Sequence, residues 1–157
     1  MFKTIVWATD GSDAADRALP YAKSLAQGRG RRLVVVHAEE LLVGRAGGYP
    51  VLADEDDFQT KIRGQVAKAR EEGFDATFKL VSGGASQAAH LIGDAAEEVG
   101  ADVIIVGTRG HGPIAGLLLG SVTQRLLHIA PCPVLAVPES SRPAAAERER
   151  EAVATAH

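Results

Sequence analysis

The sequence predicts an α/β protein: a single doubly wound sheet of five parallel strands with helices on both faces. Apolar runs of strand length, Leu33-Val34-Val35-Val36 and Val103-Ile104-Ile105-Val106 among them, are continuous rather than alternating, as strands covered on both faces require. Segments with helical spacing stand between such runs, so strands and helices alternate along the chain. The third observation is composition. At 157 residues, with 46% apolar, 24% charged and only 4% aromatic, the chain has the make-up of one globular domain with an aliphatic core. A domain of this size buries roughly 70% of its unfolded surface and needs no staple.

Residues 3–8, Lys-Thr-Ile-Val-Trp-Ala, read as the first strand, and Thr9-Asp10-Gly11-Ser12 as a turn into a helix that Ser12 or Asp13 can cap. Asp10 therefore lies at a strand's carboxyl end. A carboxylate there can accept from ribose hydroxyls or from the N–H groups of its own turn, and the residues alone leave both open. Ala14, Ala15, Ala18, Ala22, Leu25 and Ala26 form a small-residue helical stripe suited to close packing on a sheet, ending near Gly28 and Gly30. Pro20 cannot donate to the carbonyl four residues back, so a kink is expected within residues 16–20 of a helix that otherwise continues.

Residues 33–38 form the second strand, with His37 expected to be a core residue. From Glu39 to Ala53, Gly44, Gly47, Gly48 and Pro50 predict a long loop able to cover a site. Asp54 to Glu72 reads as a helix with Phe58, Ile62, Val66 and Ala69 on one face, acids in its first turn and Arg70 in its last, as the helix dipole favours; Gly73 ends it. Residues 76–81 are the third strand. Ser82-Gly83-Gly84 turns into a helix that faces Ala88, Leu91, Ile92, Ala95, Ala96 and Val99 inward and is closed by Gly100. Residues 101–108 are the fourth strand. A last helix runs from about Gly120 to Ile129, and Pro131 and Pro133 lead into the fifth strand, residues 134–137.

Between the fourth strand and the last helix stands Gly-Thr-Arg-Gly-His-Gly-Pro-Ile-Ala-Gly-Leu-Leu-Leu-Gly-Ser-Val, residues 107–122. Glycines let a backbone approach a ligand closely, and a helix beginning near Ser121 points N–H groups and its positive dipole end at the same place, a design for holding an anion. A strand-to-helix loop can also need glycine for structure alone. The lysine-bearing loop G-x-x-x-x-G-K-[ST] is absent, as is a G-x-G-x-x-G opening a first βαβ unit. Gly107, Gly110 and Gly120-Ser121 instead follow G-x2-G-x9-G-[ST], which resembles the signature of the ATP-binding branch of the universal stress protein family at every specified position. The opening Ile5-Val6-Trp7-Ala8-Thr9-Asp10-Gly11-Ser12, the strand Ala101–Gly107 and the closing Ala130-Pro131-Cys132-Pro133-Val134-Leu135 agree, so the resemblance covers residues 1 to about 138.

The resemblance implies a strand order of 3-2-1-4-5, which puts the reversal between strands one and four, where ligand crevices of such sheets open. It also implies ATP, with Mg²⁺, as the ligand. Adenine would meet the backbone of Ala38, and the turn of Thr9 and Asp10 would contact the nucleotide, with Asp10 at the ribose. Gly107 would open the phosphate loop. Backbone N–H groups of Gly110, His111, Gly120, Ser121 and Val122 would hold phosphates, and the Ser121 hydroxyl would reach a phosphate or its Mg²⁺. Arg109 and His111 are the nearby cations by sequence, placed to aid phosphate binding or merely to face water. The fold would thus unite segments roughly a hundred residues apart in sequence.

A net charge of −3 without a dense basic stretch argues against a nucleic-acid surface, Arg29, Arg31 and Arg32 being too few for a groove. One cysteine, Cys132, excludes an intrachain disulfide and a cysteine-based metal cluster; between two prolines it reads as a packed thiol rather than a redox centre. The histidines at 37, 90, 111, 128 and 157 lack metal-ligand spacing. With no long apolar span or signal-like segment, no membrane association and a cytoplasmic location are expected. Residues 139–157, rich in Ala, Glu and Arg, form a charged tail expected to be solvated, outside a nucleotide-binding domain of residues 1–138.

No positioned base, phosphate-clamping lysine or G-x-S-x-G elbow is found, so no catalytic residue is assigned and turnover is slow at most. The leading expectation is an ATP-binding stress or regulatory protein whose occupancy sets conformation or partner choice. The alternative is an interaction module of the same fold without nucleotide; slow ATP hydrolysis rests on fold analogy alone. The fifth strand, an edge with neither Lys nor internal Pro, predicts a two-fold homodimer, in competition with the tail folding back over that edge.

Overall fold

Strand β1 (Thr4–Ala8) is the axis of the sheet: all five of its residues are buried. In the computed structural model the described residues are 1–44, 47–109 and 119–139, so the tail from residue 140 and most of the glycine loop lie outside them. β1 pairs in parallel with β2 (Arg32–Gly44) on one side, Ile5 opposite Leu33 and Ala8 opposite Val36. On its other side it pairs with β5 (Val103–Gly107), Trp7 opposite Ile105. β4 (Asp75–Gly84) lies parallel to the far edge of β2, and β6 (Val134–Val137) parallel to the far edge of β5.

The two-residue period of a strand explains why the sequence runs are continuously apolar. Ile5, Trp7, Leu33, Val35, Val103 and Ile105 face one side, packed with α2 (Leu19–Ala26) and α3 (Glu55–Glu71) through Ala22, Ala26, Ile62, Val66 and Ala69. Val6, Ala8, Val34, Val36, Ile104 and Val106 face the other, against Ala89, Ile92 and Ala96 of α4 (Ala88–Glu98) and Leu126 of α5 (Ser121–Ile129). Each fully buried branched side chain contributes about 1.5–3 kcal/mol, so both faces are needed to fix the sheet. Cys132 is half-buried beside the second cluster; burial, then the Asp102 carboxylate, pushes its thiol up, away from reactive thiolate.

Two expectations are corrected. The sheet has six strands and is mixed, because β2 runs on past the expected boundary and folds back as antiparallel β3 (Gly47–Pro50), with Leu42 opposite Tyr49. Its path reads β3-β2-β1-β5-β6 with β4 also on β2; the neighbours among the parallel strands are those expected. Glycines and a proline pointed to a loop here, but an edge strand tolerates both. The first helix does not kink and continue; it breaks into α1 (Asp13–Asp16) and α2. The Ala18 amide reaches back only to the Ala15 carbonyl (3.1 Å), and the helix restarts at Leu19, so that Pro20 falls in a first turn, where a missing N–H leaves no bond unmade.

Candidate functional site

The carboxyl ends of β1 and β5 are adjacent at the centre of the sheet, and three segments meet there: the turn after β1, the edge of β2 and the start of α5. The turn is tightly tied. The Thr9 amide donates to the Val36 carbonyl (3.0 Å), and the Thr9 hydroxyl accepts from the Gly11 amide (3.1 Å). Asp10 Oδ1 accepts from both the amide (3.0 Å) and the hydroxyl (2.5 Å) of Ser12. Ser12 in turn caps α1, its Oγ accepting from the Ala15 amide (3.2 Å). Asp10 thus does hold its own turn. Gly11 is required twice over: its φ is +80°, and a Cβ would lie 2.8 Å from that of Phe58.

Ala38 lies where β1 has ended and β3 has not begun. Val36 accepts from Thr9 on the β1 edge of β2 and Glu40 accepts from Val51 on the same edge. Strand alternation turns the N–H and C=O of Ala38, midway between them, to that edge as well.

At α5 the structure gives the signature glycines more than one task. Gly120 is the N-cap, extended (φ −66°, ψ 154°) and without a capping side chain. Its amide donates to the Thr108 carbonyl (2.6 Å), so it fastens the end of the loop to the end of β5 rather than offering its N–H to a ligand, as had been expected. The amides of Ser121 and Val122 belong to the first turn, which a helix leaves without intrahelical partners. Gly107 is needed for packing: a Cβ there would lie 2.9 Å from the Ala14 carbonyl and 3.1 Å from Ala15 Cα. Its carbonyl accepts from the buried Thr123 hydroxyl (2.8 Å), which locks α5 to β5. Gly110 and His111 lie outside the described residues. Arg109 pairs with Glu139 at 3.7 Å, a surface ion pair of little energetic weight.

Sequence reasoning placed His37 in the core, and it is 1% exposed, yet it carries a polar network. Its Nδ1 is 2.8 Å from the Thr9 carbonyl, and its Nε2 is 2.5 Å from Oε1 of Glu55, itself 4% exposed. A carbonyl only accepts, so Nδ1 donates to Thr9, and Nε2 meets the Glu55 carboxyl. Both buried side chains therefore have hydrogen-bond partners. The sequence held the signal: Glu55 stands on the apolar stripe of Phe58 and Ile62, where a carboxylate must find a buried partner.

Lys61, about two turns beyond Glu55 on α3, donates to the Gly11 carbonyl (2.8 Å) and pairs with Asp16 (2.6 Å) and Asp13 (3.4 Å). Burial lowers its pKa, but hydrogen bonds and charge from Asp16 and then Asp13 outweigh this and hold it above the ordinary lysine value. Among the described residues no three His, Cys, Asp or Glu side chains are grouped to hold a metal, and no helix is long and apolar enough to cross a membrane.

The chain is similar to known proteins. The model of the universal stress protein family matches residues 1–138. A universal stress protein of Thermus aquaticus is 39% identical over 144 residues, covering 87% of this chain and 99% of that one. Among solved structures, a universal stress protein in complex with cAMP is similar at 28% identity and a TM-score of 0.64, covering 88% of this chain and 98% of that one. The universal stress protein from Archaeoglobus fulgidus in complex with dAMP is similar at 27% identity and a TM-score of 0.62, covering 87% and 98%.

Proposed function

Because this chain belongs to the universal stress protein family, we propose that it binds an adenine nucleotide, ATP with Mg²⁺, and acts as a stress or regulatory protein whose occupancy sets its conformation or partners. The observation that carries the reading is the meeting of the Thr9–Ser12 turn, the Ala38 edge and the uncapped start of α5 at the ends of β1 and β5. Adenine would pair with the backbone of Ala38 and ribose with Asp10. Phosphates would lie on the amides of Ser121 and Val122, joined by Gly110 and His111, with the Ser121 hydroxyl at a phosphate or its Mg²⁺. The cAMP and dAMP complexes of similar proteins support the adenine-nucleotide class; ATP is the further step of the proposal.

Micromolar affinity requires about 8 kcal/mol. A helix terminus supplies only about 0.3–2 kcal/mol, so adenine burial must supply much of the rest. Lys61, the ammonium beside the turn, is already engaged by Gly11 and Asp16, which fits slow turnover rather than phosphoryl transfer. A cytoplasmic location belongs to the same reading. Thermal melts of nucleotide-free protein test it: at 100 times its dissociation constant, a ligand adds about 2.7 kcal/mol. A midpoint unmoved by millimolar ATP–Mg²⁺, cAMP and dAMP would refute it, and a response to the monophosphates alone would replace ATP.

We further infer a homodimer through β6. Pro133 and Val137 direct their carbonyls to β5, so alternation turns the backbone groups of Val134 and Ala136 outward, beside Leu135, which is 40% exposed. Ala136→Pro removes an outward donor and should shift light scattering at tens of micromolar towards the monomer. A dimer unaffected by it has its interface elsewhere, and a monomer that associates only without residues 139–157 points to the tail as the cover.

A further inference from the structure

Glu55, Phe58 and Lys61 project from successive turns of α3, and all three bear on the turn after β1. Glu55 holds His37, whose other nitrogen reaches the Thr9 carbonyl. Phe58 fills the space beside Gly11, and Lys61 holds the Gly11 carbonyl. The Thr9 carbonyl belongs to the peptide plane that carries the amide of Asp10. Two carbonyls flanking Asp10 are therefore fixed by groups outside the turn, one through a buried His–Glu pair and one through an ammonium.

We propose that Lys61 and the His37–Glu55 pair are positioning residues, through which α3 holds the Thr9–Gly11 turn in the geometry that presents Asp10 to a nucleotide. The ligand half of this inference rests on the adenine-nucleotide reading above; the brace itself does not. A turn built only from its own Asp and Ser contacts would sample other conformers, and each would have to be frozen out on binding. Fixing both carbonyls beforehand removes that cost. The carboxylates of Asp16 and Asp13 outweigh the burial of Lys61 and keep it charged, as the task requires. Its side chain is 36% exposed, so its removal should perturb the turn far more than the core.

The test uses the full chain with Lys61→Met and Lys61→Arg, titrated with a fluorescent N-methylanthraniloyl-ATP and Mg²⁺, with hydrogen exchange measured at the amides of Gly11 and Ser12. Lys61→Met should melt close to the parent, exchange faster at both amides and bind about tenfold more weakly, the scale of one charge-assisted hydrogen bond. Lys61→Arg should restore both. Unchanged exchange and affinity in Lys61→Met overturns the proposal. So does weakened binding without faster exchange, which would make Lys61 a direct ligand contact. If the parent binds no nucleotide, the functional reading falls, and exchange alone decides the brace: faster upholds it, unchanged overturns it. Should Lys61→Met fail to fold, Lys61→Ala, which deletes the ammonium without adding an apolar side chain, is read in the same two ways.

Discussion

The two walls of the proposed site are built on opposite principles. In the turn after β1, hydrogen bonds within the protein engage Thr9, Asp10, Gly11 and Ser12, and α3 supports them from behind. At the start of α5, by contrast, the N-cap is a glycine with nothing to offer the amides that follow. One wall is ordered at the time of folding, and the other begins with first-turn amides that, in the proposed reading, would meet an anion. The difference implies that substitutions in the turn itself or in the buried pair behind it should register as stability and those in the second wall as affinity.

The largest effect should come from breaking the buried pair behind the first wall. Glu55→Ala leaves the imidazole of His37 buried without its partner and should cost about 3–5 kcal/mol in urea unfolding. Replacing both residues by leucine should recover part of that loss. If Glu55→Ala costs no more than a surface substitution, the first wall is not preordered as described. The two glycines give a direct contrast. Gly11→Ala forces a side chain to φ +80° against Phe58 and should destabilise by about 1–3 kcal/mol. Gly120→Val occupies a backbone conformation open to any residue, so its melt should stay near the parent while nucleotide binding is lost. Retained affinity in Gly120→Val would mean that this glycine serves only the loop.

The smallest effect sharpens the comparison from the opposite end of the sheet. Asp102 accepts from the amides of Thr4 (2.8 Å) and Lys3 (2.7 Å), and these bonds hold its carboxyl below the ordinary aspartate range. A carboxylate depressed in the folded state stabilises above its unfolded pKa, and the contribution is lost as pH falls through the folded value. Asp102→Asn should therefore be less stable than the parent at neutral pH. The difference should vanish in strong acid, and nucleotide affinity should not change. A stability gap that persists undiminished below the carboxylate range would assign the effect to something other than this charge.

Much of this was legible because it depends on local patterns. The apolar runs gave β1, β5 and β6, the stripe with its closing glycine gave α4, and Gly120 with Ser121 gave the start of α5. What escaped was decided by distant partners. Glu39 to Ala53 carries turn residues, and β3 forms because β2 extends far enough to pair with it. His37 looked like core because only the fold brings Glu55 to its ring. The break before Pro20 was anticipated as a bend; the chain instead sets the proline at a helix start. At the site, Asp10, Ala38 and the start of α5 were readable as segments, whereas the support of the first wall by α3 was not.

Gly107 has a consequence for how such a sequence can change over evolutionary time. Its missing Cβ is excluded by backbone atoms of Ala14, Ala15 and Arg109, which no rotamer adjustment can move. A duplicated copy released from selection for nucleotide would still be bound to glycine there, while position 120 drifted. Within one signature, then, the two glycines should decay at different rates. A family tree in which Gly107 outlives Gly120 would record the loss of the ligand without loss of the fold.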